Sequence, residues 1–139
     1  MLQDRQSSLE SEMSYVMINC LLIDKNPLER HRLSQILHGL GVNCSEREGA
    51  EEGIKFCQDQ RPDFVMMEAT TAAATKDFLR LVGYQGHRSR RPVVIFYADL
   101  PDVDTMAETI MDGASDFLMK PFDRDLLQFK LQQAGVLPH

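Results

Sequence analysis

The sequence predicts a single α/β domain, a doubly wound parallel sheet of five strands in the order 2-1-3-4-5. Short apolar segments alternate five times with longer segments in which apolar residues recur every three or four positions. The connections between these segments are short, and a length of 139 residues suits one core. Since parallel strands require crossover helices of one hand, this order predicts helices on both faces of the sheet.

The strands are predicted from short apolar runs that are bounded by turn residues. The first run is nearly continuous, which is typical of a strand buried on both faces. The fourth, VVIFY, is the most apolar. The predicted strands are residues 16–23, 42–45, 64–67, 93–97 and 117–119.

The helices are predicted from apolar stripes and end signals. Asn26 and Pro27 suit the start of the first helix, and Gly39 and Gly41 suit its end. The second and third helices are predicted over about 49–60 and 75–84. Asp102 or Asp104 is expected to cap the fourth helix. The apolar positions expected to face the core are Leu33, Ile36, Leu37 and Leu40 in the first helix, Met106 and Ile110 in the fourth, and Leu126, Leu127 and Leu131 in the last.

Composition excludes several classes of function. The net charge of -6 and pI near 5.1 give no basic surface for nucleic acid, and no apolar run approaches the roughly 20 residues of a membrane span. Cys20, Cys44 and Cys57 have no paired spacing, so free thiols in a reducing cytoplasm are expected. Residues 1–14 are polar and predict a disordered or weakly structured lead-in, with the domain over 15–139.

Polar and aromatic side chains follow the predicted strands where ligands bind in such sheets. Asp24 and Lys25 end the first strand, Glu68 the third, Tyr97 the fourth and Lys120 the fifth. The carboxyl ends of parallel strands share one edge of the sheet. We therefore expect these side chains to form one cluster, which is the candidate functional site.

Four segments resemble the response-regulator receiver domains, a family with a flavodoxin-like fold. They are LLIDKNPLERHRLSQIL, RPDFVMME, PVVIFYA and GASDFLMKPF, and the resemblance covers about residues 15–136. It implies a Mg²⁺ ion held by an acidic pair and by an acceptor aspartate. It also implies a lysine and a Thr or Ser that contact the phosphoryl oxygens, so that metal and lysine offset the charge of the transferring group.

The sequence departs from that pattern at most of the matching positions. Asp24 matches the first acid, but Lys25 stands at the second, Glu68 at the acceptor and Tyr97 at the hydroxyl position. Besides Asp24, only Lys120 is retained. These changes predict a pseudo-receiver that is not an enzyme, needs no cofactor and has lost Mg²⁺ binding and phosphorylation.

Two interpretations remain open at the altered positions. Glu68 either imitates a phosphorylated aspartate, with less charge, or forms a structural ion pair with Lys25, Lys120 or both. A Lys25–Glu68–Lys120 network would fill the space that metal and phosphate occupy in relatives. Tyr97 and Phe117 hold the family's switch positions, where Tyr97 either fixes the Phe117 ring or packs as an ordinary aromatic.

The expected function is signal transduction through protein–protein recognition. The predicted partners are a histidine kinase, a phosphotransferase or an output regulator. They are expected to bind the face of the fourth helix, fifth strand and fifth helix, and a homodimer is an additional possibility. One alternative is a Mg²⁺-dependent receiver that is still phosphorylated at a weakened site. Another is the N-terminal dimerising receiver of a larger regulator. A small-molecule enzyme is disfavoured, because DKNP after the first strand lacks a glycine-rich phosphate loop.

Overall fold

The computed structural model describes residues 17–85 and 92–139, in which five strands alternate with five helices. The strands are β1 (Ile18–Ile23), β2 (Val42–Arg47), β3 (Phe64–Glu68), β4 (Val93–Ala98) and β5 (Asp116–Met119). The helices are α1 (Pro27–Gly39), α2 (Ala50–Asp59), α3 (Ala72–Gln85), α4 (Val103–Met111) and α5 (Arg124–Gln133).

The strands form one parallel sheet in the order β2-β1-β3-β4-β5, which confirms the predicted topology. Ile23 is in register with Met67, and Glu68 is in register with Tyr97. The carboxyl ends of the three central strands therefore lie side by side, and their side chains can meet.

Two apolar layers cover the two faces of the sheet. One joins alternate strand residues to α1 and α5, with Leu37 and Leu131 fully buried. The other joins the remaining strand residues to α2, α3 and α4, with Phe78 at its centre. This division follows from the pleat, because successive side chains of a strand point to opposite faces.

Helix α1 begins where the sequence predicts. The Asn26 side chain accepts hydrogen bonds from the backbone N–H groups of Leu28 (3.0 Å) and Glu29 (3.4 Å), and Pro27 occupies the first turn. These bonds satisfy donors that the helix leaves unpaired. At the other end, Gly41 has a φ of 84°, a conformation that glycine adopts without steric cost.

Helix α3 begins at Ala72, three residues before the predicted start. The Thr71 hydroxyl accepts a hydrogen bond from the Ala74 N–H at 3.1 Å, and the Thr75 N–H donates to the Thr71 carbonyl. Residues 72–74, which precede the predicted start, are all alanine, the residue type of highest helix propensity. Helix formation therefore starts as soon as Thr71 caps it.

Of the two predicted caps, Asp102 is the one that begins α4. Some inward-facing positions differ from the prediction. Thr109 is buried in that helix while Ile110 is exposed, and Leu126 of α5 is also partly exposed. The Thr109 hydroxyl donates to the Thr105 carbonyl at 2.7 Å, so a polar residue enters the core without an unpaired group.

Several predictions fall outside the described residues. They are the lead-in over 1–14, the domain start at Tyr15 and the beginning of the first strand at Val16. Within the ranges that the structure describes, every helix is too short or too polar to cross a membrane.

The Asn26 cap provides a direct test of how α1 is held. Replacing it by alanine (Asn26→Ala) removes the acceptor for two N–H groups and should lower the free energy of unfolding by about 1 kcal/mol, measured by urea denaturation. Asn26→Asp keeps an acceptor oxygen and should leave stability nearly unchanged. Equal losses in the two variants would show that the cap does not stabilise the helix.

Candidate active site and its relatives

Asp24 is the buried centre of the cluster at the strand ends, with only 2% of its surface exposed. Its Oδ1 accepts a hydrogen bond from the Asn26 N–H at 2.8 Å, and its Oδ2 accepts one from the Tyr97 hydroxyl at 2.7 Å. The Arg30 guanidinium donates to the Asp24 backbone carbonyl. A buried carboxylate is costly unless it is hydrogen-bonded, and both oxygens here have a donor.

Tyr97 is completely buried and reaches Asp24 from β4 across the intervening strand β3. Its ring packs edge-on against Phe122 with the centroids 6.0 Å apart. Burial raises the pKa of the Tyr97 phenol well above its ordinary value, and the hydrogen bond to Asp24 raises it further. The hydroxyl therefore stays protonated and acts as a hydrogen-bond donor.

Lys120 lies between two carboxylates from different elements. Its Nζ is 3.7 Å from Glu68 Oε2, 3.8 Å from Glu29 Oε1 and 5.0 Å from the centroid of the Tyr97 ring. The predicted ion pair between Glu68 and Lys120 is present. At these lengths the contacts are electrostatic and are longer than ordinary hydrogen bonds.

Glu29 is a member of this cluster that the sequence analysis missed. It stands three residues after the Asn26 cap, the spacing at which an acidic residue favours a helix start, and this signal could have singled it out. Its Oε1 also accepts from Arg32 at 2.8 Å. Glu29 thus shares its charge between an exposed arginine and the more buried Lys120.

Glu68 stands at the solvent side of the cluster, with 34% of its side chain exposed. Partial burial raises the pKa of the Glu68 carboxyl, and the neighbouring Asp24 carboxylate raises it further, while Lys120 acts in the opposite direction. Lys120 therefore offsets only part of the repulsion between the two acids. An ion pair of this exposure contributes roughly 0–1 kcal/mol to stability.

Lys25 does not join the cluster. Its side chain is exposed, and none of the ion pairs found over 17–85 and 92–139 includes it. The predicted Lys25–Glu68–Lys120 network is therefore wrong in including Lys25. The Asn26 N–H holds the Asp24 side chain inward, and the next side chain along the turn is left in solvent.

Of the two interpretations of Tyr97, the one in which it fixes the Phe117 ring by contact is wrong. Tyr97 is in register with Leu118 and packs in the layer of α1 and α5, whereas Phe117 is in register with Phe96 and packs in the opposite layer. The Phe117 ring lies 6.3 Å from that of Phe96. A difference of one residue in register changes the face of the sheet, so Tyr97 does not fix the Phe117 ring by contact.

Comparison with known proteins identifies the family. The sequence profile described as "Response regulator receiver domain" matches residues 20–132. The chain belongs to this family. The fold class and the resemblance deduced from sequence are both confirmed, and receiver domains are modules of two-component signalling.

Curated relatives of this receiver domain differ greatly in length. Protein PilH of Pseudomonas aeruginosa is 26% identical in an alignment of length 119 that covers 80% of this chain and 92% of PilH. Regulatory protein AtoC of Escherichia coli is 28% identical in an alignment of length 116 that covers 82% of this chain but only 24% of AtoC. The chain thus spans nearly all of one relative and about a quarter of the other.

Solved structures share the fold at lower identity. The chemotaxis protein CheY4 of Vibrio cholerae matches with a TM-score of 0.75 and 20% identity, over 85% of this chain and 98% of that one. The receiver domain of a Pseudomonas aeruginosa sensor histidine kinase, crystallised with magnesium in its active-site cleft, gives a TM-score of 0.73 and 23% identity, covering 85% and 97%. At this level of identity the likeness shows the fold alone.

The hydrogen bond between Tyr97 and Asp24 can be tested through stability. Tyr97→Phe keeps the ring but leaves Asp24 Oδ2 without its donor, so the free energy of unfolding should fall by about 1–3 kcal/mol in urea denaturation. The same substitution in an Asp24→Ala background should cost much less, because the acceptor is already gone. Equal losses in both backgrounds would mean that the cost comes from packing and not from this bond.

Proposed function

We propose that this receiver domain signals by binding partner proteins and does not accept a phosphoryl group. The observation that carries the proposal is the hydrogen bond from the buried Tyr97 hydroxyl to Asp24 Oδ2. Asp24 is the remaining acid of the pair that would hold the metal, and a side chain of the protein already engages it.

The residues at the strand ends fit a Mg²⁺ ion poorly. Mg²⁺ requires oxygen ligands in near-octahedral geometry at about 2.0–2.1 Å. Each oxygen of Asp24 already accepts a hydrogen bond, Lys25 offers no oxygen, and Glu68 is drawn towards the Lys120 ammonium. In the described part of the chain, no group of three or more His, Cys, Asp or Glu side chains is arranged to hold a metal ion.

Glu68 is also poorly suited to accept a phosphoryl group. Its side chain is one methylene longer than aspartate, which moves the nucleophilic oxygen, and in-line transfer is sensitive to such displacement. The hydroxyl position beside it carries Tyr97, whose oxygen is turned towards Asp24 and away from the solvent side. The hydroxyl at this position is therefore already hydrogen-bonded to Asp24 and does not face the place where phosphoryl oxygens would lie.

The face formed by α4, β5 and α5 supports the proposed binding role. Large apolar side chains are exposed on its elements, and Met111 at the end of α4 is 86% exposed. The others are Val103 and Ile110 of α4, Met119 of β5, and Leu126 and Phe129 of α5, with Leu100 shortly before α4. Exposed apolar groups on three neighbouring elements favour a protein-binding surface over a purely solvated one.

The proposed partners are histidine kinases, phosphotransfer proteins or output regulators, with a second copy of the chain as a further occupant of the same face. One solved relative supports the phosphotransfer class. It is the complex of the yeast histidine phosphotransfer protein Ypd1 with the receiver domain of Ssk1, which matches with a TM-score of 0.68 and 16% identity over 84% of this chain and 88% of that one. Because the match covers only 24% of AtoC, a receiver attached to an output domain is an alternative form of the same proposal.

Phosphorylation chemistry gives a direct test of the proposal. The full chain, incubated with Mg²⁺ and acetyl phosphate, should show no added phosphoryl mass on Glu68 by intact-mass spectrometry. Titration of the chain with Mg²⁺, up to millimolar concentration, should leave its tyrosine fluorescence unchanged. A stoichiometric acyl phosphate on Glu68 would refute the proposal.

A variant that restores the family's residues is the matched control. Lys25→Asp, Glu68→Asp and Tyr97→Thr together return the acid, the acceptor and the small hydroxyl to the scaffold. This variant should gain Mg²⁺-dependent phosphorylation, which would show that the assay can detect it. The double variant Lys25→Asp, Glu68→Asp, which retains Tyr97, should gain less phosphorylation, since Asp24 remains hydrogen-bonded to the phenol.

The apolar face can be tested by reversing its character at one position. Met111→Glu should weaken binding to a cognate kinase or phosphotransfer protein at least about tenfold in titration calorimetry, because it places a charge where an apolar contact forms. Leu28→Glu is the control, since Leu28 is 80% exposed but lies on α1. Equal weakening by both substitutions, or by neither, would contradict this docking face.

A further inference from the structure

We propose that Cys20 and Cys44 form an oxidisable thiol pair. In this reaction a peroxide oxidises Cys44, and Cys20 then closes a disulfide between β1 and β2. The proposal concerns a part of the molecule away from the acidic cluster and does not depend on the proposed signalling function.

The sheet places the two thiols directly opposite each other. Cys20 and Cys44 are register partners in the parallel pair β1 and β2, and both pack in the layer of α1 and α5. Neighbouring strands are about 4.7–4.9 Å apart, and disulfides form at Cα separations of about 4.4–6.8 Å. Since β2 is an edge strand, it can move by the roughly one ångström that brings the Cβ atoms to disulfide distance.

Only one of the two thiols is accessible. Cys20 is buried, whereas Cys44 is partly exposed and lines a groove of about 400 Å³ between α1 and β2. The other lining residues are His31, Ser34, Gln35, His38, Val42 and Asn43. A small oxidant can therefore reach Cys44 through the groove, and Cys20 is reached only through Cys44.

The surroundings also divide the chemical roles of the two sulfurs. The neighbouring Cys20 thiol lowers the pKa of Cys44, and Ser34 lowers it too, against opposing effects of burial and of the Glu46 charge. Burial raises the pKa of Cys20 well above its ordinary value. The thiolate is the reactive form, so Cys44 is the attacking sulfur and Cys20 the one that resolves the product.

The reaction balances with one molecule of hydrogen peroxide. The Cys44 thiolate attacks a peroxide oxygen, the O–O bond breaks, hydroxide leaves, and sulfur gives up two electrons to form a sulfenic acid. Cys20 sulfur then attacks Cys44 sulfur, the S–O bond breaks, and hydroxide leaves with the Cys20 proton as water. Two thiols and one peroxide thus yield one disulfide and two waters.

The experiment uses the full reduced chain and a small excess of hydrogen peroxide, followed by unfolding in N-ethylmaleimide. Before oxidation all three cysteines should take up the label, and afterwards only Cys57 should do so, with a Cys20–Cys44 linked peptide in the digest. Cys57 is the internal control, because it is partly exposed but burial raises its thiol pKa to about 11. Cys44 should react with peroxide at least about tenfold faster than Cys57 near neutral pH.

Variants distinguish the proposed order of steps. Cys44→Ser should abolish the disulfide and the fast reaction, while Cys57→Ser should leave both intact. Cys20→Ala should form the Cys44 sulfenic acid more slowly, because Cys20 no longer lowers the Cys44 pKa, and should stop there, where dimedone traps it. The Cys44→Ser result tests the pair independently if Cys20→Ala fails to fold. Any of three results in the wild-type chain would overturn the proposal. They are labelling of all three cysteines after oxidation, a disulfide that includes Cys57, and oxidation of Cys44 without the disulfide to Cys20.

Discussion

The hydrogen bond from Tyr97 to the buried carboxylate of Asp24 is the interaction on which the candidate site depends. It joins β4 to the end of β1 across β3, and with the Asn26 N–H it gives both Asp24 oxygens a donor. Without it, an acid only 2% exposed would carry its charge among apolar side chains. The same bond thus satisfies a buried acid and engages the oxygen that the proposed function requires to be closed to a cation.

The positive charge of Lys120 is shared between two carboxylates near this bond. Lys120 lies between Glu29 and Glu68 and over the Tyr97 ring, so one ammonium serves two carboxylates and an aromatic face. The raised pKa of Glu68 is the consequence, since Asp24 is close and Lys120 offsets its charge only in part. Lys120 therefore neutralises the acids at the strand ends only in part.

Much of the site could be predicted from sequence because the residues follow strand ends. Asp24, Glu68, Tyr97 and Lys120 are brought together by the parallel sheet alone, and the pair of Glu68 with Lys120 was foreseen. Lys25 was placed wrongly, because which of two consecutive turn residues faces inward depends on the Asn26 N–H that holds Asp24. Glu29 was missed because it lies on a helix and not at a strand end.

The sequence by itself determined the five alternating elements and the start of α1, since these follow from local apolar patterns and caps. The strand order was predicted as one of the common orders of a doubly wound sheet. Only the tertiary structure decided the direction of the Tyr97 side chain. A phenol at the end of a strand could lie against Phe117, but the register of β4 and β5 puts these residues on opposite faces. The hydroxyl then reaches Asp24, 73 residues away in the chain, because the sheet brings β1 and β4 within one strand of each other.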